Sequence, residues 1–452
     1  MKERAIEKRI VPAAAVVVLL LLFSAGAARA DELSDLKQQM DTTTKMLQEM
    51  QERMAQLEAR QRLKEQSMAE QIEAVVKKTE DIEKAAPAGL PTSASWVERI
   101  KWSGDLRYRH EHLDQETTSS GRWNPSRDRH RIRARLMLEA VVNDEWGVGF
   151  RLATGSSGKG GDFEGDPVST NQDLGNSFSS KNIWLDLAYF DYHPLAVEGL
   201  NVYGGKIKNP FYRVGDNQLI FDGDLNPEGI AFTWQKPLND RDTLRLAGGG
   251  FWVDESSGSA TDPSLFGAQA MITRTIGNPD KATAGVSYYS FGGIKGHAGL
   301  PAQWSSSSSF MGNSNSGGVY TSDYDVFEAF GEYATECHGT PLSFFGNWIK
   351  NIAATSSEDT GWLIGTKINK AKDPGSWEAS YMYENIEADA TFGAINDSDF
   401  IGGGTDGKGH IFDLTYQVSK NVQTALTYFL NKDTADNSDY RRLHAALFIK
   451  FK

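Results

Sequence analysis

The sequence predicts an all-β transmembrane barrel of about sixteen antiparallel strands, preceded by an N-terminal α-helical coiled-coil segment. Three observations carry that reading. One stretch alternates strictly between apolar and basic residues, the connections between strands alternate between short and long, and residues 31–84 contain neither proline nor glycine.

The alternation is clearest in residues 127–142. Ile132, Ala134, Leu136, Leu138, Ala140 and Val142 occupy one parity, and Arg127, Arg129, Arg131, Arg133 and Arg135 the other, continuing through Met137 to Glu139. A strand sends successive side chains to opposite faces, so one face is apolar and the other carries a ladder of guanidiniums. A soluble sandwich would bury the first face and solvate the second. A transmembrane barrel sets the first against lipid and the second in a water-filled lumen.

Composition fits the barrel. The chain has 452 residues, a formal net charge of −13, 44 glycines, 11% aromatic residues and one cysteine. Its mean hydropathy of −0.46 would suit a soluble protein, but only alternate residues of a barrel strand meet lipid. No nucleic-acid partner is expected of so acidic a chain.

Met1–Ala30 reads as a signal peptide. Lys2, Arg4, Lys8 and Arg9 precede the apolar run Ile10–Phe23, and Ala28-Arg29-Ala30 fits the small-x-small cleavage rule, giving a mature start at Asp31. Removing these thirty residues takes away five basic and two acidic side chains, so the charge moves from −13 to −16. From Leu33, a heptad count places Leu33, Met40, Leu47, Met54, Gln61, Met68, Val75 and Ile82 at a. Leu36, Thr43, Met50, Leu57, Lys64, Gln71 and Lys78 fall at d. Such a seam, good in its first half and weaker at d in its second, predicts a coiled coil over 31–84. A linker, 85–99, includes Pro87, Gly89 and Pro91 and leads into the barrel domain, 100–452.

Strands are expected at 102–113, 127–142, 145–154, 181–193, 199–208, 228–236, 242–253 and 264–275. Eight more are expected at 281–291, 324–334, 341–352, 360–370, 374–386, 408–418, 420–432 and 440–451. Alternate connections are short and the rest mostly long, as in outer-membrane barrels with tight turns on the periplasmic side. An even strand count returns both ends of the barrel to that side, so the coiled coil is expected in the periplasm. Trp102, Trp146, Trp184, Tyr189, Tyr288, Tyr289, Trp348, Trp362, Trp377, Tyr381, Tyr428 and Phe429 lie near strand ends, as interfacial girdles require. The polar segments Ser305–Ser309 and Gly312–Gly318 are expected to be exposed.

The candidate pore-lining residues follow from parity. Arg107 and Arg109 alternate with Leu106 and Tyr108, and Arg151 lies between Phe150 and Leu152, so both strands add to the wall of Arg129, Arg131, Arg133 and Arg135. Lys206 and Lys208 are expected to extend it. The long connection 209–227 combines apolar anchors, Phe211, Leu219, Ile220 and Phe221, with Asp216, Asp222 and Asp224. Such a loop is expected to fold inward, with its carboxylates facing the basic wall or hydrogen-bonding a turn. An acidic loop across from a basic wall filters polar solutes by charge and dipole. Asp397, Asp399 and Asp406 cluster in a glycine-rich stretch without calcium-loop spacing, which reads as a solvated loop.

No catalytic residue, metal site or cofactor is expected. No G-x-S-x-G, H-E-x-x-H, P-loop or dinucleotide fingerprint occurs. His110 and His112 share a strand face without ligand spacing beyond that, and Cys337 beside His338 reads as a turn residue.

Three motifs carry a family resemblance: Gly-Gly-Lys-Ile-Lys-Asn-Pro-Phe at 204–211, Phe-Asp-Gly-Asp-Leu-Asn-Pro-Glu-Gly at 221–229, and Asp-Ser-Asp-Phe-Ile-Gly-Gly-Gly-Thr-Asp-Gly-Lys-Gly-His at 397–410. From about Ile100 to Lys452 the chain resembles the bacterial "putative porin" family of Gram-negative outer-membrane proteins. The resemblance implies a β-barrel embedded in outer-membrane lipid, passive diffusion of small polar solutes or ions, and a homotrimer. An alternative reading is a structural tether, in which the barrel anchors a coiled coil that contacts the cell wall.

Overall fold

The computed structural model describes residues 99–117, 122–156, 165–255, 262–299 and 310–452, together with Lys45, Glu52, Arg53, Ala55 and Gln56, which are helical and exposed. The chain divides between Ser93 and Ala94. The expected signal peptide, the linker 85–98, the remainder of the coiled coil and Ser305–Ser309 lie outside the described residues.

Sixteen strands close an antiparallel barrel. They are β1 (Ile100–Thr117), β2 (Arg127–Val141), β3 (Trp146–Thr154), β4 (Ile183–Tyr192), β5 (Leu200–Lys206), β6 (Glu228–Pro237), β7 (Asp242–Trp252) and β8 (Ser264–Thr275). The second half comprises β9 (Lys281–Gly292), β10 (Tyr324–Cys337), β11 (Thr340–Asn351), β12 (Thr360–Asn369), β13 (Trp377–Ile386), β14 (Gly407–Ser419), β15 (Val422–Asp433) and β16 (Ser438–Phe451). Each strand pairs with its sequence neighbour, and β1 pairs with β16 from Gly104↔Phe451 to Gln115↔Tyr440, which closes the ring. Closure leaves no open sheet edge in the bilayer, where an unpaired backbone group has no water to bond.

The alternation read from sequence governs the two faces. On β2 and β3 the lipid-side residues Leu136, Phe150 and Leu152 are exposed, whereas Arg131, Arg133, Met137 and Ala153 are buried. Large apolar side chains stay exposed around the ring, including Ile230, Phe232, Phe266, Phe344, Ile364, Phe412 and Leu426. An apolar surface this extensive requires lipid rather than water. Among the described residues no helix is long and apolar enough to cross a membrane.

Strict alternation corrects four of the aromatic assignments. Trp184 lies between the exposed Ile183 and Leu185, so it points inward, and its Nε1–H donates to the Gly155 carbonyl at 2.9 Å. In the adjacent pairs Tyr288/Tyr289 and Tyr428/Phe429 only the first residue can face lipid; Tyr289 and Phe429 are buried on the inner face. Tyr189 also points inward, its ring over Gly149 and edge-on to Tyr203. Lys206 departs from its expected place for the same reason. Its cross-strand partner Ala188 shares parity with the exposed Phe190, so Lys206 sits on the outer face, 2.7 Å from Glu228. Lys208, two residues on, lies beyond the end of β5 and is exposed.

Inside the ring, apolar residues of the wall and of three connections form one cluster. Phe211, Val214, Leu219, Ile220 and Phe221 come from connection 207–227, Phe310 and Tyr320 from 293–323, and Phe392, Ile395, Phe400 and Ile401 from 387–406. They pack on Phe251, Leu265, Tyr289, Phe291, Phe345 and Ile349 of the wall. Rings link the layers: Phe211 and Phe221 lie 4.9 and 5.0 Å from Tyr289, Phe291 lies 5.7 Å from Phe392, and Phe392 lies 5.7 Å from Tyr320. Each such pair adds about 0.5–1.5 kcal/mol beyond the area it buries.

Candidate functional site

Connection 207–227 reaches across the barrel because its apolar residues are seated first. Phe211 fits over Gly267 of β8, where a side chain's Cβ would stand 2.4 Å from the ring. Its neighbour Tyr212 is held by Gln269: the Tyr212 N–H donates to Oε1 at 2.7 Å, and Nε2 donates back to the Tyr212 carbonyl at 3.0 Å. Arg245 of β7 donates to the Pro210 carbonyl at 2.6 Å. Behind Gln269, Glu328 accepts from Ser287, Tyr289 and Asn347 at 2.6, 3.2 and 2.8 Å. The carboxylate is enclosed but saturated with donors, as burial of a charged group requires. Gly215 then turns the chain with φ +61°, a conformation that costs glycine little.

The opposite wall belongs to β16 and β1–β3. Arg135 and Arg133 flank Asp105 at 2.7 and 2.9 Å and reach Asp224 of the connection at 3.4 and 3.7 Å. Asp224 also accepts from the N–H and hydroxyl of Thr170 at 3.3 and 3.1 Å. Burial would raise the Asp224 carboxyl, but Arg133, Arg135 and Arg107 outweigh it and hold the group below its ordinary value. A second focus lies higher on the same wall. Glu111 is fully buried and takes Arg129 at 2.5 Å, Arg442 at 3.0 Å, Arg109 at 3.2 Å and Arg131 at 3.3 Å. Asp173, in a short strand Gln172–Asp173 that pairs with β2, takes Arg131 at 2.6 Å and Arg127 at 3.5 Å.

Asp399 completes this focus from connection 387–406. It lies 2.8 Å from Arg442 and 3.4 Å from Arg109, with His444 at 3.9 Å. Burial pushes Asp399 up, but Arg442, His444, Arg109 and Arg131 reverse the shift and hold it well below the carboxylate range. The stretch expected to be a solvated loop is therefore an inner element: Asp397, Phe400, Ile401 and Thr405 are buried. Its apolar Phe400 and Ile401 supply the inward pull that its glycines and carboxylates hide. Asn313, from the segment expected to be exposed, fastens it by donating to the Ala388 and Thr391 carbonyls at 2.7 and 2.8 Å.

The three carboxylates of connection 207–227 divide. Asp224 meets the basic wall. Asp222 accepts instead from the N–H of Asp224 at 2.7 Å and of Ser398 at 3.0 Å, so it ties the two inner connections together. Burial, and then the charges of Asp224 and Asp397, raise its pKa. Asp216 lies on the other side and pairs with Lys367 of β12 at 2.5 Å. A loop spanning the lumen cannot point all its carboxylates one way. Among the wall residues, Arg151 pairs with Asp186, whose other oxygen accepts from Asn226 of the connection at 2.8 Å, and Arg107 bonds the Asn171 side chain.

Sequence reasoning did not single out Arg442, His444, Asp173 or Asp399 as wall residues. The first two were legible in principle, because Arg442 and His444 alternate with Leu443, Ala445 and Leu447 on β16. Asp173 and Asp399 carry no periodic signal. Among the described residues no group of acidic, histidine or cysteine side chains could hold a metal ion.

Comparison with known proteins places the chain. No curated protein matches it. Among solved structures it is similar to OprB of Pseudomonas putida (12% identity, TM-score 0.48, covering 80% of this chain and 96% of that one). It is also similar to a triple mutant of the Rhodopseudomonas blastica porin (12% identity, TM-score 0.42, 78% and 100% covered). A third is a loop-deletion mutant of OmpT, an outer-membrane protein of Vibrio cholerae (12%, TM-score 0.42, 77% and 98%). Residues 114–322 and 331–441 match the family described as "Putative porin", well over half of the chain. The chain belongs to that putative porin family, as an outer-membrane channel protein and not an enzyme.

Proposed function

We propose that the barrel is a water-filled channel through which small hydrophilic solutes or ions diffuse passively, filtered by a transverse field between a basic wall and acidic inner connections. The observation that carries this reading is the facing of Asp224 on connection 207–227 with Arg133 and Arg135 on β2. Arg107, Arg109, Arg129, Arg131 and Arg151 extend the basic side; Asp399 joins Asp224 on the acidic side, and Asp222 and Asp216 brace the connection that carries Asp224. Fixed opposite charges at close quarters orient dipolar solutes and sort ions by sign. The working form is a homotrimer with its coiled coil in the periplasm, the arrangement that the heptads of residues 31–84 support.

The test is reconstitution of the full-length protein in planar bilayers under a salt gradient. Stepwise conductance is expected, with a reversal potential that moves toward cation preference in Arg133→Gln with Arg135→Gln and toward anion preference in Asp224→Asn. Unchanged reversal potentials in both sets remove the transverse-field reading.

A further inference from the structure

Arg107 differs from the other buried arginines of the inner wall, Arg109, Arg131, Arg133 and Arg442, each of which pairs with a carboxylate. Its side chain is buried, yet among the described residues no carboxylate lies within the 4.0 Å of an ion pair. Its partners are neutral. The guanidinium donates to the Asn171 side-chain oxygen and lies over the Phe448 ring, 5.7 Å from the centroid, while its Nε–H has no acceptor. Directly across the sheet stands another cation, Arg133. Burying a charge beside a like charge, with Asp224 and Asp399 acting only from beyond ion-pair distance and with an idle donor, is costly unless something compensates it.

We propose that Arg107 is an anion-binding subsite of the lumen, taking a small, singly charged oxyanion of the carboxylate class. The assignment rests on the channel reading and names a substrate class for it. A guanidinium edge presents two parallel N–H donors that match the two oxygens of a carboxylate. The surrounding charge sets the valence. Arg107, Arg133 and Arg135 share two carboxylates, Asp105 and Asp224, an excess of one positive charge, which one monoanion neutralises and a dianion overshoots. Asn171 acts as a placeholder. Its amide oxygen is a single neutral acceptor, and an incoming carboxylate exchanges it for an ion pair that can be bidentate. Asn171 can leave because its segment has another tether, Thr170 on Asp224.

The experiment measures single-channel conductance of the full-length protein in potassium acetate of increasing concentration, with potassium sulfate as the dianion comparison. Saturation in acetate is expected for the wild type, because a subsite limits flux once occupied. Arg107→Gln is expected to make the acetate curve linear, and Arg107→Lys, which keeps charge without the fork, to move half-saturation to roughly tenfold higher acetate. Asn171→Ala is expected to move it the other way, by severalfold, because the competing acceptor is gone; a purely structural role for Arg107 would not produce that shift. Linear wild-type conductance, saturation that survives Arg107→Gln, half-saturation that does not fall in Asn171→Ala, or sulfate saturating below acetate each overturns the proposal. Conductance steps that are linear in acetate leave the channel reading standing, whereas a wild-type protein that gives no steps removes both.

Discussion

The two sides of the lumen hold the inner connections by different physics. On the β7–β11 side, connection 207–227 is fastened by burial: Phe211, Leu219, Ile220 and Phe221 leave water and pack on Leu265, Tyr289 and Phe291. On the side of β16 and β1–β3 the connections meet the wall through charge: Asp224 of 207–227 is set against Arg133 and Arg135, and Asp399 of 387–406 against Arg109 and Arg442. Apolar packing is short-ranged, insensitive to salt and specific in shape. Ion pairs are less specific in shape but act at a distance on other charges. The molecule uses the first kind of contact to position the connection and sets the second kind on the opposite wall, where, on the proposed reading, solutes meet it.

The largest effect on this comparison should come from the apolar side. Phe221→Ala removes a ring that touches Phe211, Tyr289 and Phe291, at a cost of about 3–5 kcal/mol for a buried phenylalanine. Protease cleavage within 207–227 on intact protein in liposomes should rise, and channel noise with it. Equal resistance in mutant and wild type would mean that the charged side carries the loop after all.

Next in size is the lipid face of the charged wall. Leu136→Arg sits on β2 between Arg135 and Met137, but on the outside, and should cost roughly 2–4 kcal/mol near the midplane. Arg135→Gln, one residue away on the inner face, should leave folding yield in detergent unchanged within error. Similar losses from both would contradict the assignment of faces.

Within the lumen, Asp399→Asn should change permeability more than stability. Removing that charge leaves Arg109 and Arg442 to Glu111 alone, so anion permeability should rise relative to cation permeability by about two- to fivefold. A reversal potential that does not move would place Asp399 away from the ion path.

The smallest effect concerns pH and separates the fasteners further. Burial, and then the charge of Asp399, push Asp397 up to about 7, and burial raises Asp222, which accepts from Ser398 of the same connection. A carboxyl raised in the folded state contributes stability that is full below its unfolded pKa and is lost as pH rises through the folded value. Connection 387–406 should therefore be held more firmly at pH 5 than at pH 8. Hydrogen exchange of its amides, corrected for intrinsic rates, should show opening increase across that interval in the wild type and increase less in Asp397→Asn. Opening that instead increases toward acid would refute the sign.

The fold was nearly all legible because a barrel strand is a local object. Its alternation is written in consecutive residues, and the expected and observed strands agree from 127–142 against Arg127–Val141 to 440–451 against Ser438–Phe451. The same parity assigned the arginines of β1, β2 and β3 to one face, and the apolar content of 209–227 gave a reason for that connection to turn inward. These are statements about which side of a surface a residue prefers, which burial free energy decides residue by residue.

What only the tertiary structure decided is which charges meet. Asp222 and Asp224 are two residues apart and chemically alike, yet one braces Ser398 and the other faces Arg133, because the turn between them points their carboxylates in different directions. Glu111 gathers four arginines from three strands, and Asp399 reaches Arg109 across 290 positions of chain. Arg107 was one basic residue among equals in the sequence; only the closed ring reveals that its direct contacts are Asn171 and Phe448, with Arg133 across the sheet and no carboxylate at ion-pair distance among the described residues. Coulombic partnership depends on distances across the lumen, and those are set by ring closure and by the packing of connections against the far wall, neither of which has a period that a sequence can display.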